Sequence, residues 1–164
     1  MVRLRRTAPA DLAFILPLEH HPDNRDLIGQ WTCEEHLVTM ARSDREHWTM
    51  VNEQETPLGY LIAYDSRTDG YGIYIKRIAV AERSRGVGRV ALAAFLDHIW
   101  RDSDADLVTL AVRGHNARAI HVYEIVGFET WALTPGQRAA MTELVDPIPD
   151  DCLVMRAWRP ADAG

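Results

Sequence analysis

The stretch from Val80 to Leu92, VAERSRGVGRVAL, decides how the rest of the chain is read. An apolar run ends at Val80, Gly86 and Gly88 stand two apart, and a helical pattern follows at once. In that pattern Leu92, Phe95, Leu96 and Ile99 share one face, with Arg89, Asp97 and Arg101 on the other. Arg77, Arg83, Arg85 and Arg89 gather around the two glycines in a chain of formal net charge −6. Bare backbone and positive charge at the mouth of a helix suit a phosphate. The first-turn amides have no intrahelical partner, and the helix dipole adds partial positive charge there. Glycine removes the side chains that would hold the backbone away from such a group.

Length and composition narrow the choice of phosphate. With 164 residues, 47% of them hydrophobic, the chain suffices for one domain with a real core. Its 24 acidic against 18 basic side chains argue against nucleic acid as a partner. They favour a small anionic ligand held at a local basic spot, or a cationic second substrate. Cys33 and Cys152 lie far apart without metal-ligand spacing, which predicts reduced thiols, no metal and a cytoplasmic location. The opening MVRLRRTAPADLAF lacks the apolar core of a leader, and VALAAFL (Val90–Leu96) is too short to span a bilayer, so no membrane partner is expected.

The element pattern is mixed. Val2–Arg5 predicts a short strand; Thr7 offers an N-cap and Pro9 a first turn for a helix striped by Leu12, Ile15 and Leu16. His20-His21-Pro22-Asp23-Asn24 breaks it. Thr32 and Glu35 form a capping box for a second helix running to about Arg42. Residues 47–51, 58–65 and 71–80 predict three antiparallel strands with short connections. After the glycine-bearing helix, 107–112 predicts a buried strand, parallel to the 71–80 strand because a helical crossover joins them. Asn116 caps a helix through Val126, Gly127 ends it, and 128–133 resumes as a strand. Residues 134–151 look irregular, and 152–158 close the sheet.

Three phosphate sites compete. A P-loop would need Gly-Lys-Ser/Thr after the first glycine, and neither a lysine nor a hydroxyl follows Gly88 in place. Gly86-Val87-Gly88-Arg89-Val90-Ala91 matches G-x-G-x-x-A, the dinucleotide fingerprint, and Arg113 at the end of the next strand could meet a 2′-phosphate. Against that, AERSR separates the strand from the first glycine. The third pattern uses the whole segment: RSRGVG fits Arg/Gln-x-x-Gly-x-Gly/Ala opening a helix. Further on, NARAIHVYEIVGF (116–128) fits Asn-x-x-Ala-x-x-x-Tyr-x-x-x-Gly-Phe. With these two segments and the strand IKRIAVAE before them, the chain resembles the GNAT superfamily of acyl-CoA-dependent N-acyltransferases. The resemblance is strong from about 70 to 130 and fits the element order over 1–158.

The resemblance implies a single-domain α/β fold over 1–158 with a frayed tail at 159–164. Its sheet would be mixed and mostly antiparallel, with a central parallel pair splayed at the cofactor and helices on both faces. It implies acetyl-CoA as co-substrate, held at its pyrophosphate by Arg83, Arg85, Gly86, Val87, Gly88 and Arg89. Ile78, Ala79 and Val80 would pair with the pantetheine amides and polarise the thioester carbonyl. Asn116 would bond the cofactor arm, and Tyr123, seven residues on and on the same face, would protonate the departing thiolate. On residue type alone, Asn116 is equally a helix cap and Tyr123 a packing residue. The acceptor would be an amine of a small molecule or a protein, and family habit implies a homodimer. Acetyl transfer would be direct, because neither cysteine sits in a nucleophile motif; a non-catalytic acyl-CoA-binding module is the alternative. Some members carry a base on the central strand, where this chain reads GYGIYIK without a carboxylate. Glu19, His20, His21 and His47 are the substitutes on offer, with Trp31 a wall of an acceptor pocket or a core residue.

Overall fold

Alternating and wholly apolar runs become strands, and the one long helix follows the glycines. The computed structural model describes residues 1–83, 85–145 and 147–162; Ser84 of the RSRGVG segment, Asp146, and Ala163 and Gly164 of the expected tail lie outside them. The strands are β1 (Arg3–Arg6), β2 (Arg45–Val51), β3 (Pro57–Ser66), β4 (Gly72–Val80), β5 (Leu107–Arg113), β6 (Glu129–Thr130) and β7 (Cys152–Trp158). The helices are α1 (Leu12–Glu19), α2 (Pro22–Arg25), α3 (Cys33–Ala41), α4 (Val87–Asp102), α5 (Ala117–Val126) and α6 (Pro135–Val145). Among the described residues the strands form one sheet in the order β1-β2-β3-β4-β5-β7-β6. As the crossover requires, β4 and β5 are parallel, pairing Ile73 with Val108, Tyr74 with Thr109 and Ile75 with Leu110. The pairing of β4 with β5 ends at Ile75, and the strand runs on to Val80, where Ala81 N donates to Leu58 O at 2.8 Å.

Four local expectations need correction. Thr7 does not cap the first helix, because its hydroxyl is engaged by His47 and Thr49, each at 2.8 Å. Asp11 stands at the start of α1 without a side-chain cap bond to it, and its carboxylate instead closes the preceding 3-10 turn by accepting from Ala8 N at 2.7 Å. The break at His20–Asn24 holds a short helix, α2, capped by His21. The segment after Leu133 is not irregular: Thr134 and Gln137 bond reciprocally (3.2 and 2.9 Å) with Pro135 opening the helix. The strand expected over 128–133 shrinks to Glu129–Thr130.

The chain forms two compact units: Met1–Ala63 with Arg77–Phe95, and Tyr64–Lys76 with Leu96–Gly164. In the second, β5 pairs with β7 along its whole length, from Leu107↔Trp158 to Arg113↔Cys152. Gly72 sits at φ +66°, and a Cβ there would fall 1.9 Å from Leu107 O, so the start of β4 accepts only glycine. After β7, Arg159 donates to the carbonyls of Trp100, Ser103 and Ala105 at 2.7–3.0 Å, tying the strand end to the turn after α4.

The first unit is organised around a buried carboxylate. Glu19, 0% exposed, closes α1 and accepts from Tyr60 Oη of β3 (2.7 Å), Arg77 of β4 (2.8 Å), His36 Nε2 of α3 (3.0 Å) and the Trp31 amide (2.5 Å). Arg77, 4% exposed, also stacks on Trp31 with its Cζ 4.5 Å from the ring centre. Burial alone raises a carboxyl, but the His36 bond, the Arg77 charge, the Trp31 amide and Tyr60 outweigh it and hold Glu19 at about 2. From His36 the bonding continues: Nδ1 to His47 Nε2 at 3.0 Å, His47 Nδ1 to Thr7 Oγ1, Thr7 to Thr49, and Thr49 to Asp11 Oδ2 at 3.4 Å. A carboxylate closes each end of this run of five links. At the far end Thr49 donates to Asp11, which Arg5 also grips with two bonds at 2.7 and 2.9 Å.

The stability of this unit should therefore fail in acid. Burial, with the His36 and Arg77 charges, depresses His47 to about 3 from 6.5, and Glu19 stands at about 2 against 4.5. Both folded values lie below the ordinary ones. Their stabilisation is thus complete above pH 6.5 and is lost as pH falls, first through His47 and below 4.5 through Glu19 as well. Melting temperatures measured from pH 7.5 downward should decline along that course, and His47→Gln should flatten the part between 6.5 and 4.5. Glu19→Gln leaves Arg77 buried without a counter-charge and should cost about 3–5 kcal/mol by urea unfolding. Gly72→Ala combines strain with a backbone clash and should cost about 2–5 kcal/mol. At Gly70, also left-handed at φ +88° but with open space around it, alanine should cost about 1 kcal/mol.

Candidate active site

The phosphate segment lies in the first unit, and its two glycines do different work. Gly86 adopts φ +73°, which an L side chain rarely takes, and nothing lies within 4 Å of a Cβ built on it. Its carbonyl accepts from Val90 N at 3.1 Å, so Gly86 is the N-cap of α4. A glycine cap supplies no side-chain oxygen, and among the described residues no acceptor is shown for the first-turn amides of Val87, Gly88 and Arg89. Gly88 has ordinary backbone geometry, and a Cβ there would make only a normal contact, 3.6 Å from Val80 Cγ1. The fold does not need a glycine at 88.

The arginines separate into three roles. Arg85 and Arg89 are exposed, Arg85 holding a loose pair with Glu82 at 3.2 Å, and both suit a solvent-borne anion. Arg83, placed with them by the sequence, turns to α2 instead: its Nη2 donates to Asp23 O at 2.7 Å and Asn24 Oδ1 at 2.8 Å. Arg77 is a core residue bound to Glu19 and takes no part in the cradle. At the end of β4, Ala79 is 8% exposed and Ile78 and Val80 are half-buried. Gly59 of β3 lets that strand approach closely, since a Cβ there would lie 2.4 Å from Ala79 O.

The other segment lies in the second unit. Asn116 caps α5, its Oδ1 accepting from Ala119 N at 3.3 Å, and Gly127 ends the helix at φ +117°. The cap occupies the side-chain oxygen of Asn116 and leaves the amide nitrogen as a donor. Tyr123 is 8% exposed and packs on Phe128 with ring centres 5.9 Å apart. Its hydroxyl bonds to no group among the described residues. Burial pushes it up to about 12, so this phenol stays protonated throughout the neutral range.

Of the bases the sequence offers, two are consumed by the core. Glu19 has four donors on it, and His47 is 4% exposed with both ring nitrogens engaged. His36, the centre of that buried chain, was not a sequence candidate; it directly follows the Glu35 of the capping box, and only the inward turn of α3 gives it a role. Trp31 lies under Arg77 and meets the His36 ring edge-on. Arg113, which a dinucleotide would have needed, pairs with Asp151 at 2.5 Å. Among the described residues no group of three His, Cys, Asp or Glu side chains is arranged to hold a metal ion, and no helix is long and apolar enough to cross a membrane.

A mycothiol acetyltransferase from Gordonia bronchialis is 32% identical over 143 residues, 80% of this chain and 45% of that protein. One from Rhodococcus opacus is 35% identical over 98 residues, 57% of this chain and 29% of that protein. The chain thus spans less than half the length of these curated relatives. Among solved structures, spermidine N-acetyltransferase from Vibrio cholerae, in complex with CoA and spermine, aligns over 96% of this chain and 95% of its own with a TM-score of 0.77. At 17% identity that likeness establishes the fold. The model of the acetyltransferase (GNAT) family matches residues 11–128, which take in the phosphate segment and the Asn116–Phe128 segment together, and the chain belongs to that family.

Proposed function

We propose that this chain transfers an acetyl group from acetyl-CoA to a primary amine by direct attack on the thioester. The observation that carries this reading is Gly88, a glycine that neither backbone angle nor packing demands, one residue inside a helix whose cap leaves its amides open. The cofactor's pyrophosphate has the charge and acceptor oxygens for those amides and for Arg85 and Arg89. Ile78, Ala79 and Val80 supply backbone groups for the pantetheine and the thioester carbonyl, and Asn116 Nδ2 a donor to the cofactor arm. Arg83 acts indirectly, fastening α2 to the phosphate segment.

Tyr123 is the group assigned to the leaving sulfur. At about 12 its hydroxyl lies further above a free thiol, about 8.5, than an ordinary phenol does. Full proton transfer is therefore late, and the hydroxyl first stabilises the developing thiolate as a hydrogen-bond donor. An amine acceptor is supported by the polyamine bound in the Vibrio cholerae neighbour and by the acidic balance of this chain.

Gly88→Ala separates cradle from fold. It should leave the melting temperature unchanged or higher, since alanine is the better helix former, while weakening acetyl-CoA at least about tenfold, or 1.4 kcal/mol, by calorimetry. Unaltered affinity in that variant would remove the pyrophosphate assignment. Tyr123→Phe should lower kcat by about 10²–10⁴ while acetyl-CoA affinity stays within a few-fold. Lost affinity with unchanged kcat would show that the ring only packs.

A further inference from the structure

We infer that His20 is the general base that takes the proton from the incoming ammonium, an assignment that rests on the acetyltransferase reading above. Lone pairs decide it. His21 caps α2, its Nδ1 accepting Asp23 N–H at 3.1 Å, so its proton sits on Nε2 and no lone pair remains to accept another. In His20 the arrangement is reversed. Nε2 lies 3.1 Å from Trp31 O, and a carbonyl only accepts, so the ring proton is on Nε2 and Nδ1 carries the free lone pair. The side chain is 50% exposed, and among the described residues no hydrogen bond is shown on Nδ1. Of Glu19, His20, His21 and His47, His20 alone keeps an available basic atom at the surface.

The surroundings suit the protonated ring as well as the neutral one. Glu19 Oε1 stands 3.6 Å from His20 Nε2, too long for a hydrogen bond but on the edge where positive charge would develop. Arg77 binds the other oxygen of that carboxylate, and His36 faces it from α3, so Glu19 stays ionised behind the ring. Asp23 and Arg25 are the charged groups of α2, and Asp23 is 3.7 Å from His21 rather than His20. Trp31 O and the Glu19 carboxylate therefore fix the tautomer and face one side of the ring, while Nδ1 faces the other. The turn that carries the ring is itself held near the cofactor cradle: Arg83 of the phosphate segment binds Asp23 O and Asn24 Oδ1, and Asn24 Nδ2 binds Leu18 O at 2.9 Å.

The step balances without a further reactant. One ammonium proton passes to His20 Nδ1, and the freed nitrogen lone pair attacks the thioester carbonyl carbon. The carbon–sulfur bond breaks, sulfur leaves with the electron pair, and the second nitrogen proton compensates the one the sulfur takes up. An ammonium and acetyl-CoA thus give an acetamide, CoA thiol and one proton, and that proton is the one His20 returns to water. An amine of pKa about 10.4 is almost wholly protonated at neutral pH, which is where such a base matters most.

The experiment uses the full chain, acetyl-CoA, spermine, a primary alkylamine and an O-alkylhydroxylamine of the same size, whose nitrogen is already neutral at pH 7. His20→Gln keeps an N–H for Trp31 O and removes the base. It should retain the acetyl-CoA melting shift, lose at least about a hundredfold in kcat/KM with the protonated amines, and abolish the acid limb of their pH profile. Its rate with the hydroxylamine should stay within a few-fold. His21→Asn keeps the α2 cap through Oδ1 and should leave the profile unchanged. Equal losses with both acceptor types, a retained acid limb, or a limb that follows His21 would each overturn the assignment. If wild-type chain turns over none of the amines, or acetyl-CoA produces no melting shift, the acetyltransferase reading itself fails and this one with it.

Discussion

An ionised carboxylate with 0% exposure is tolerated only where donors replace the water it has lost, and at Glu19 four segments supply them. Tyr60 comes from β3, Arg77 from β4, His36 from α3 and an amide from the approach to α3. None of these donors can leave without stranding a charge, so the ends of α1, α3, β3 and β4 are held to one geometry. The loop leaving α1, with His20 and His21, starts from this fixed point. A purely apolar contact in its place could be as stable, but it would not fix direction as four hydrogen bonds do.

The glycines follow a second division of labour. Gly72 exists for the chain, since a Cβ would strike Leu107 O, and Gly59 lets β3 close on Ala79 O. Gly86 exists for the turn, with a positive φ and empty space around it. Gly88 satisfies neither need. It leaves room beside first-turn amides for which no acceptor is shown among the described residues, which is the room the proposed pyrophosphate contact would use.

Much of this was legible before any coordinates. The glycine pair, its arginines and the Asn116–Gly127 segment are local features, and local chemistry survives in sequence: a glycine cap, a side-chain cap and a left-handed stop are each decided within a few residues. The capping box at Thr134–Gln137 was equally local, but with a proline and a glycine between its two ends the segment read as irregular. What sequence could not show were the long-range polar contacts. Helix α3 exposes Leu37 (40%) and Val38 (56%) and buries His36 and Thr39, inverting the usual apolar face, because the surface it meets carries Glu19 and His47. Arg77 looked like part of the basic cluster for the same reason. Its partner is 58 residues away, and nothing in the spacing announces it.

The same buried charge shapes where proton chemistry can occur. Four donors hold Glu19 at about 2, too acidic to collect a proton at neutral pH, and His47 at about 3 is equally unsuited. The core takes the strongest anion and two of the histidines out of the reaction, and does so with the hydrogen bonds that build the unit. What remains near the surface is a ring whose tautomer is set by a backbone carbonyl and whose back edge meets that unavailable carboxylate. An exposed Glu19 would compete for the substrate's proton itself; a buried Glu19 without Arg77 would tend to neutralise and no longer face the ring with charge. Glu19 can support a neighbouring base only while it is buried, ionised and paired, and the first unit is folded around that condition.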